Sequence, residues 1–246
     1  MSQSAIDSRR QILRLAAANS LGAGLGLLLS SCGGGEPAPV PSPPTGGTTQ
    51  KSASIPNIIT YNNIDGQRTT EWCWAACAET IVRQFGINVN NINGFSVAQE
   101  YFAVKVYGGV TPNLVQGASP AQVAYALTDT YRLLSGQPIA LQGYSWMPIP
   151  VQFNTKAVSL IKAQIPFTIL LIPYGSNSGH FLTVYEIVWT EDSSGNVLSI
   201  DTYRMADPAQ NLYQFFPGIP PYPTQWTQFA AQLYSQAGVA WAERIG

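Results

Sequence analysis

The apolar residues of this chain follow a helical period in its first half and a strand pattern in its second half. Residues 70–86 carry one apolar stripe at helical spacing, formed by Trp74, Cys77, Ala78, Ile81, Val82 and Phe85. Residues 167–173 and 180–190 are continuous apolar runs of strand length, and 197–206 returns as a strand after the turn-forming segment 192–196. Helices followed by an antiparallel sheet are typical of an α+β domain.

Further helices are predicted at 96–107, 119–134 and 154–164. A last helix is predicted at 225–244 from the spacing of its apolar residues Trp226, Phe229, Ala230, Leu233 and Trp241. The segment 216–223 before it is rich in proline and is predicted to be a loop. A site built from both the helical half and the sheet half would lie in the cleft between them.

Residues 1–31 have the features of a bacterial export signal. A basic segment at 8–14 precedes an apolar stretch, 15–29, that is too short and too rich in Gly and Ala to span a membrane comfortably. The stretch ends in Leu29-Ser30-Ser31-Cys32, which resembles the lipobox of lipoproteins, where the cysteine is acylated and becomes the mature N-terminus. The alternative is a tethered N-terminal helix with an incidental cysteine.

The lipoprotein resemblance implies a location in the bacterial cell envelope, on the periplasmic side. Arg9 and Arg10 also resemble a twin-arginine export signal, although Ile12 stands where that signal usually has Phe, so the general secretory route stays open. Gly33 follows Cys32 in place of the Asp that favours retention in the inner membrane, so we expect the outer membrane. The membrane would then be a partner through the lipid on Cys32.

Residues 32–56 are predicted to be a linker, and 57–246 the folded domain. From Gly33 to Gln50 the chain is rich in Gly, Pro and Thr and carries a single charged residue. Such a segment cannot bury enough apolar surface to fold, and it would act as a semi-rigid spacer between the membrane and the domain.

Composition excludes two classes of function. The chain of 246 residues has a formal net charge of −1, which offers no electrostatic basis for binding nucleic acid. Besides Cys32 it has one histidine and two cysteines, too few for a four-ligand metal site, and we expect no cofactor. The two cysteines, Cys73 and Cys77, are four residues apart on one helix, a poor arrangement for a disulfide.

The pattern of polar residues predicts a thiol acyl-transfer site. Cys73 falls in the first turn of the predicted helix, where the helix N-terminus stabilises the nucleophilic thiolate form of a cysteine. His180 is the only histidine, so it is the general base if the chain has one. The oxyanion of a tetrahedral intermediate also needs donors, which the Cys73 backbone N–H and the Gln67 amide, six residues upstream, could supply. Cys77 belongs to the apolar stripe and is predicted to be structural.

Two acidic residues on the return strand could orient His180. If the hairpin turns near Ser193 and Ser194, His180 lies opposite Asp207, whereas Asp201 lies opposite Glu186, roughly 20 Å from His180 at ~3.3 Å per residue. Asp207 is therefore the predicted partner, and Asp201 remains the alternative if the register differs.

The order and spacing of Gln67, Cys73-Trp74-Ala75, Gly179-His180-Phe181 and the later Asp207-Pro208 resemble those of papain-like cysteine peptidases. The sequence Trp72-Cys73-Trp74-Ala75-Ala76 is most similar to the bacterial branch that includes plant-pathogen effector and double-glycine leader peptidases. The resemblance covers about residues 57–210. It implies a papain-like fold, in which a helical half with the nucleophile helix packs on an antiparallel sheet half.

The same resemblance implies peptide-bond hydrolysis, with Cys73 as nucleophile, His180 as base, Asp207 as orienting residue and Gln67 as oxyanion donor. Plant papains usually carry Asn at the orienting position, and the Asp here is shared with the bacterial branch. A peptide or protein would be the substrate. The alternatives are transglutaminase-like or amidase acyl transfer on the same scaffold, and a catalytically inactive binding lipoprotein.

Overall fold

The computed structural model describes residues 47–56, 58, 67–69, 71–109, 116–173, 175, 177–209, 224–226 and 234–245. All of them belong to one compact unit, Thr45–Gly246. The predicted signal peptide, Cys32, most of the predicted linker and the proline-rich loop at 216–223 lie outside the described residues.

Eight strands form one antiparallel sheet: β1 (Thr49–Ser54), β2 (Asp129–Arg132), β3 (Pro138–Trp146), β4 (Phe167–Pro173), β5 (His180–Glu191), β6 (Val197–Ala206), β7 (Thr224–Trp226) and β8 (Tyr234–Arg244). Seven of them follow the order β2-β3-β8-β4-β5-β6-β7. β4 pairs with the first part of β5, up to Val184, and β1 pairs with the second part, from Glu186. β5 therefore lies at the centre of the pairing, and its first residue, His180, is held by the neighbouring β4.

The described residues form four α-helices, α1 (Cys73–Gln84), α2 (Ala98–Tyr107), α3 (Pro120–Leu127) and α4 (Phe153–Lys162), and a short 3-10 helix at Val89–Asn91. Helices α1 to α3 share a buried cluster with Ala240 and Ala242 of β8, whereas α4 shares another with Val239 and Trp241. Successive residues of a strand point to opposite faces of its sheet. The helices thus cover both faces, three on one and one on the other, and the domain is mixed α+β.

The helix predicted at 70–86 is confirmed, although it begins at Cys73 and ends at Gln84. Its apolar stripe is buried except for the partly exposed Phe85, and Arg83 Nε donates to Glu79 Oε1 at 3.0 Å. The chain leaves the helix through Gly86, whose φ of +77° suits a residue without a side chain. Trp72 occupies the cap position and makes no side-chain cap hydrogen bond. Cys73 is therefore the first residue of α1.

The helix predicted at 225–244 is wrong, because the described parts of that segment are the strands β7 and β8. β8 lies between β3 and β4 in the sheet, and a strand buried on both faces does not show the alternation of a half-exposed one. In β8 it is the size of the side chains that alternates. The small residues Gly238 and Ala240 face α3 and its neighbours, and the large Trp241 faces α4.

Two other boundaries differ from the prediction. The helix predicted at 119–134 ends at Leu127, because Thr128 bonds back to the Ala124 carbonyl through its Oγ1 and the chain then pairs as β2 with β3. Residues 49–54, predicted to be linker, form β1 on the edge of β5. The folded domain therefore starts before residue 57.

Candidate active site

Cys73 is the first residue of α1 and lies against the start of β5. Its side chain is buried, and the backbone N–H of Phe181 donates to Sγ at 3.5 Å. Cys77, one turn further along α1, has no exposed surface, and neither of the two cysteines is in a disulfide. A backbone N–H directed at sulfur stabilises negative charge there. Of the two thiols, Cys73 is the one placed against the histidine-bearing strand.

His180 lies beside both of its predicted partners. Its Nε2 lies 2.6 Å from Asp207 Oδ1, and the N–H of the next residue, Phe181, donates to Cys73 Sγ. Burial lowers the pKa of His180, but the charge of Asp207, its hydrogen bond and the contacts with Cys73 outweigh burial and raise the pKa to about 10. The side chain keeps 33% of its surface exposed. His180 is therefore protonated at neutral pH and still reachable from solvent.

Asp207 is the residue directly after the end of β6, so it takes no part in the pairing of that strand. Besides His180, its Oδ1 accepts a hydrogen bond from the Ala209 N–H at 2.8 Å. The turn after β6 thus holds the Asp207 carboxylate through the Ala209 N–H, and the carboxylate in turn holds the imidazole of His180.

Asp201 lies at the other end of the hairpin. Its carboxylate accepts hydrogen bonds from Gln50, Thr190 and Ser199. The structure therefore places Asp207, and not Asp201, beside His180. The predicted register is nevertheless wrong in detail, because Glu186 faces Arg204 rather than Asp201, and irregularities interrupt the pairing of β5 with β6 at three places.

Gln67 lies in the loop before α1 and is docked on the turn that carries Asp207. Its backbone N–H donates to the Pro208 carbonyl at 2.9 Å. Its side chain is buried, and Nε2 donates to the Thr69 carbonyl at 2.8 Å. The amide group carries two N–H donors, so this bond is compatible with donation to a second acceptor. Gln67, the predicted oxyanion donor, is therefore bonded to the same turn that carries the Asp207 carboxylate.

The tryptophans beside Cys73 pack rather than present a surface. Trp74 is fully buried, its Nε1 donates to the Gln116 carbonyl at 3.1 Å, and its ring meets that of Tyr107 edge-on at 6.0 Å. Trp72 is also buried. Both side chains fix the start of α1 within the core.

One group of residues behind the site is not predicted from the sequence. Gln99 of α2 connects Glu79 of α1 with the backbone of Arg68. Glutamine is common on helix surfaces, so nothing in the sequence distinguishes this one before its burial is known.

A scan against protein-family models finds no match for the chain, and a search of curated proteins finds none either. Within the described ranges, no helix is both long and apolar enough to cross a membrane. No cluster of three or more His, Cys, Asp or Glu side chains could hold a metal ion in that same part of the chain. The fold and the site together define an α+β domain with a thiol–imidazole–carboxylate cluster.

Proposed function

We propose that this protein is a papain-like cysteine peptidase that hydrolyses peptide bonds in the cell envelope. Cys73 is the nucleophile, His180 the general base and acid, Asp207 the orienting carboxylate and Gln67 a donor to the oxyanion. The observation that carries the proposal is the meeting of the three groups: His180 Nε2 lies 2.6 Å from Asp207 Oδ1, and the N–H of the next residue, Phe181, donates to Cys73 Sγ at 3.5 Å.

The geometry supports a standard order of events for a thiol nucleophile. The Cys73 thiolate attacks the substrate carbonyl carbon, and the new C–S bond gives a tetrahedral oxyanion. As the oxyanion collapses, the C–N bond breaks, and the His180 imidazolium gives its proton to the leaving amine. Neutral His180 then takes a proton from water, whose hydroxide attacks the thioester. The C–S bond breaks, the acid product leaves and the thiolate–imidazolium pair is restored.

The two ring nitrogens of His180 have separate tasks in this proposal. Nε2 is engaged by Asp207, so Nδ1 is the nitrogen left to exchange the proton with Cys73 and with substrate. The raised pKa of about 10 keeps the imidazolium available as an acid for the leaving amine. Asp207 therefore sets both the orientation of the ring and its charge.

Two donors are proposed for the oxyanion. As the first residue of α1, Cys73 has a backbone N–H that finds no acceptor within the helix and points out of its N-terminal end. The amide of Gln67, anchored through Pro208 to the turn that carries Asp207, supplies the second. Removal of one such donor typically lowers kcat by about 10²–10³.

The papain-like assignment is supported by the way the parts are distributed. The cysteine starts a buried helix, the histidine starts a strand of an antiparallel sheet, and the carboxylate follows the next strand. This distribution agrees with the resemblance of the motifs. The proposed chemistry requires no cofactor, because the thiolate, the imidazole and the amide donors supply every group that reacts.

The proposal is tested by peptide hydrolysis with the purified protein and four matched variants. Denatured casein and a mixed peptide library serve as substrates, and we expect turnover that Cys73→Ala and His180→Ala abolish while Cys77→Ala and Asp201→Ala retain it. Turnover that survives in Cys73→Ala would disprove the proposal. Hydroxylamine added as an amine acceptor identifies the competing transferase activity, because a transferase would form the hydroxamate in preference to the acid.

The proposed location is the periplasmic face of a bacterial membrane, by preference the outer one, with a lipid on Cys32. The support is the Leu29-Ser30-Ser31-Cys32 sequence before the Gly- and Pro-rich segment. Two anchoring signals are generally needed for stable attachment, and a multiply acylated cysteine supplies them. We expect Cys32→Ser to block both the attachment of the lipid and the cleavage after Ser31. Unchanged cleavage and attachment would contradict this location.

A further inference from the structure

Gln99 is a buried polar residue that joins three separate parts of the chain. It is the second residue of α2, and only 2% of its surface is exposed. Its Nε2 donates to Glu79 Oε2 in the middle of α1 at 3.1 Å. Its Oε1 accepts from the Arg68 backbone N–H, in the loop before α1, at 3.0 Å. One amide thus links two helices to the loop that carries Gln67.

The orientation of this amide is imposed by its neighbour. The other oxygen of Glu79 accepts from Arg83 Nε at 3.0 Å, so Glu79 is a carboxylate that only accepts hydrogen bonds. Gln99 must therefore turn its NH2 group toward Glu79, and its oxygen is left facing Arg68. The Arg83–Glu79 pair thereby ensures that Gln99 presents its oxygen, an acceptor, to the backbone N–H of Arg68 in the loop.

The loop is held on both sides of the Gln67 Cα atom. The N–H of Gln67 donates to the Pro208 carbonyl at 2.9 Å, and the next N–H, that of Arg68, donates to Gln99. The first bond ties the loop to the turn that carries Asp207. The second ties it to α1, the helix that begins at Cys73. Gln67 is thereby located with respect to both ends of the thiol–imidazole–carboxylate cluster.

A buried charged network of this kind adds little stability, because desolvation of the charges offsets their attraction and apolar residues of similar volume often stabilise as well. Fixed geometry is what it does supply. An oxyanion donor acts only when it lies about 2.7–3.1 Å from the oxyanion, and a misplacement of about 1 Å can lower the rate about 10²-fold.

We propose that Gln99 is a positioning residue that holds Gln67 where its amide meets the oxyanion. This inference rests on the proposed function, since it requires Gln67 to act in turnover. In this proposal Gln99 does not act on the substrate directly. Its effect is transmitted through the Arg68 peptide group.

The first test is a double-mutant cycle between Gln99 and Gln67. Gln99→Met keeps the volume and removes both hydrogen bonds, and we expect kcat for peptide hydrolysis to fall about tenfold with KM changed less than about twofold. In a Gln67→Ala background the same change should alter kcat by less than about twofold, because the donor it positions is gone. Equal effects in both backgrounds would overturn the proposal.

The second test restores the bridge with its partners exchanged. Gln99→Glu alone places a second carboxylate against Glu79 and should lower kcat about as much as Gln99→Met. When Glu79→Gln is added, the new amide donates to the new carboxylate, whose other oxygen again accepts from Arg68. We expect the exchanged pair to recover at least about half of the parent's kcat. Failure of a folded exchanged pair to recover would overturn the proposal, and this pair also carries the test if Gln99→Met does not fold.

Two controls separate the possible failures. Gln142→Met, on β3, removes a comparable amide hydrogen bond to Thr128 Oγ1 and should leave kcat unchanged. Amide exchange at Arg68 should accelerate in Gln99→Met and not in Gln142→Met, and unchanged exchange at Arg68 would overturn the proposal without reference to activity. Turnover that survives in Cys73→Ala would remove the proposed function and the role of Gln67 with it. Additive effects of Gln99 and Gln67 on Cys73-dependent turnover would overturn the Gln99 proposal alone.

Discussion

The charge state of His180 should depend on Asp207. Burial lowers the pKa of His180, and the charge of Asp207 is the largest of the contributions that raise it to about 10. In Asp207→Asn the ring keeps its burial and its contact with Cys73 but loses the neighbouring negative charge. The pKa should therefore fall, and the thiolate–imidazolium pair should lose its imidazolium at a lower pH.

The magnitude follows from the contact distance. His180 Nε2 and Asp207 Oδ1 lie 2.6 Å apart. Because each charge is spread over its whole group, the centres of the two charges are further apart than these atoms. Two unit charges at about 4 Å interact by roughly 4 kcal/mol at an effective permittivity of about 20. This corresponds to about three pH units. Because the His180 side chain keeps 33% of its surface exposed, water screens part of the interaction. We expect the pKa in Asp207→Asn to lie roughly two to three pH units below that of the parent.

The measurement is a pH titration of the histidine ring by NMR. The chain has a single histidine, so the signal needs no assignment among several rings. Asp201→Asn is the matched control, because Asp201 bonds to Gln50, Thr190 and Ser199 and makes no contact with the imidazole. A His180 pKa that is unchanged in Asp207→Asn, or that falls equally in Asp201→Asn, would refute the reasoning.

The kinetic consequence is a split between kcat and KM. Asp207→Ala should lower kcat with little change in KM, because an orienting carboxylate acts mainly in the transition state. Asp207→Asn should be milder, since the Ala209 N–H, which donates to the same Oδ1 as His180, keeps an amide oxygen in that place. Both losses should be smaller than those of Cys73→Ala and His180→Ala. An Asp201→Ala variant as impaired as Asp207→Ala would contradict the assignment.

Three further outcomes are expected. Iodoacetamide should label Cys73 in the folded protein and leave the fully buried Cys77 unmodified, as peptide mapping can show; equal labelling would count against this. Because the folded-state pKa of His180 is raised from 6.5 to about 10, its stabilising contribution is complete below 6.5 and is lost as the pH rises to about 10. In urea unfolding, the difference in free energy of unfolding between the parent and His180→Gln should shrink as the pH rises across that window. A difference that grows would contradict the raised pKa. Gly143→Ala should lower the free energy of unfolding by about 1–3 kcal/mol or more, because a Cβ there would lie 1.9 Å from a carbonyl oxygen in α3. Gly109→Ala, with nothing within 4 Å of the added carbon, should leave it nearly unchanged.

The elements that sequence analysis placed well are those whose partners are local. The stripe of α1 repeats within one helix, and its Glu79–Arg83 pair lies four residues apart. β6 has the bounds predicted for it, since a hairpin with a polar turn joins two neighbouring segments. In each case the residues that decide the structure lie within about one element of each other.

The misplaced elements depend on distant segments. β8 was mistaken for a helix because its residues are small where α3 crosses the sheet and large where α4 does, a pattern that appears only after both helices are in place. β1 looks like a spacer until β5 offers it an edge with which to pair. Pairing of this kind depends on surface buried between parts of the chain far apart in sequence.

The sequence by itself determined which chemical groups the site could contain: one histidine, one cysteine at the start of a helix, a glutamine before it and two candidate carboxylates. Only the tertiary structure decided how those groups meet. The irregular pairing of β5 with β6 leaves Asp207 beyond the end of the strand, where its carboxylate reaches His180. The contact between α2 and the loop before α1 places Gln99 behind Gln67. Residue types and periods are local properties of a chain, whereas a hydrogen bond between distant segments requires both to be packed in position first.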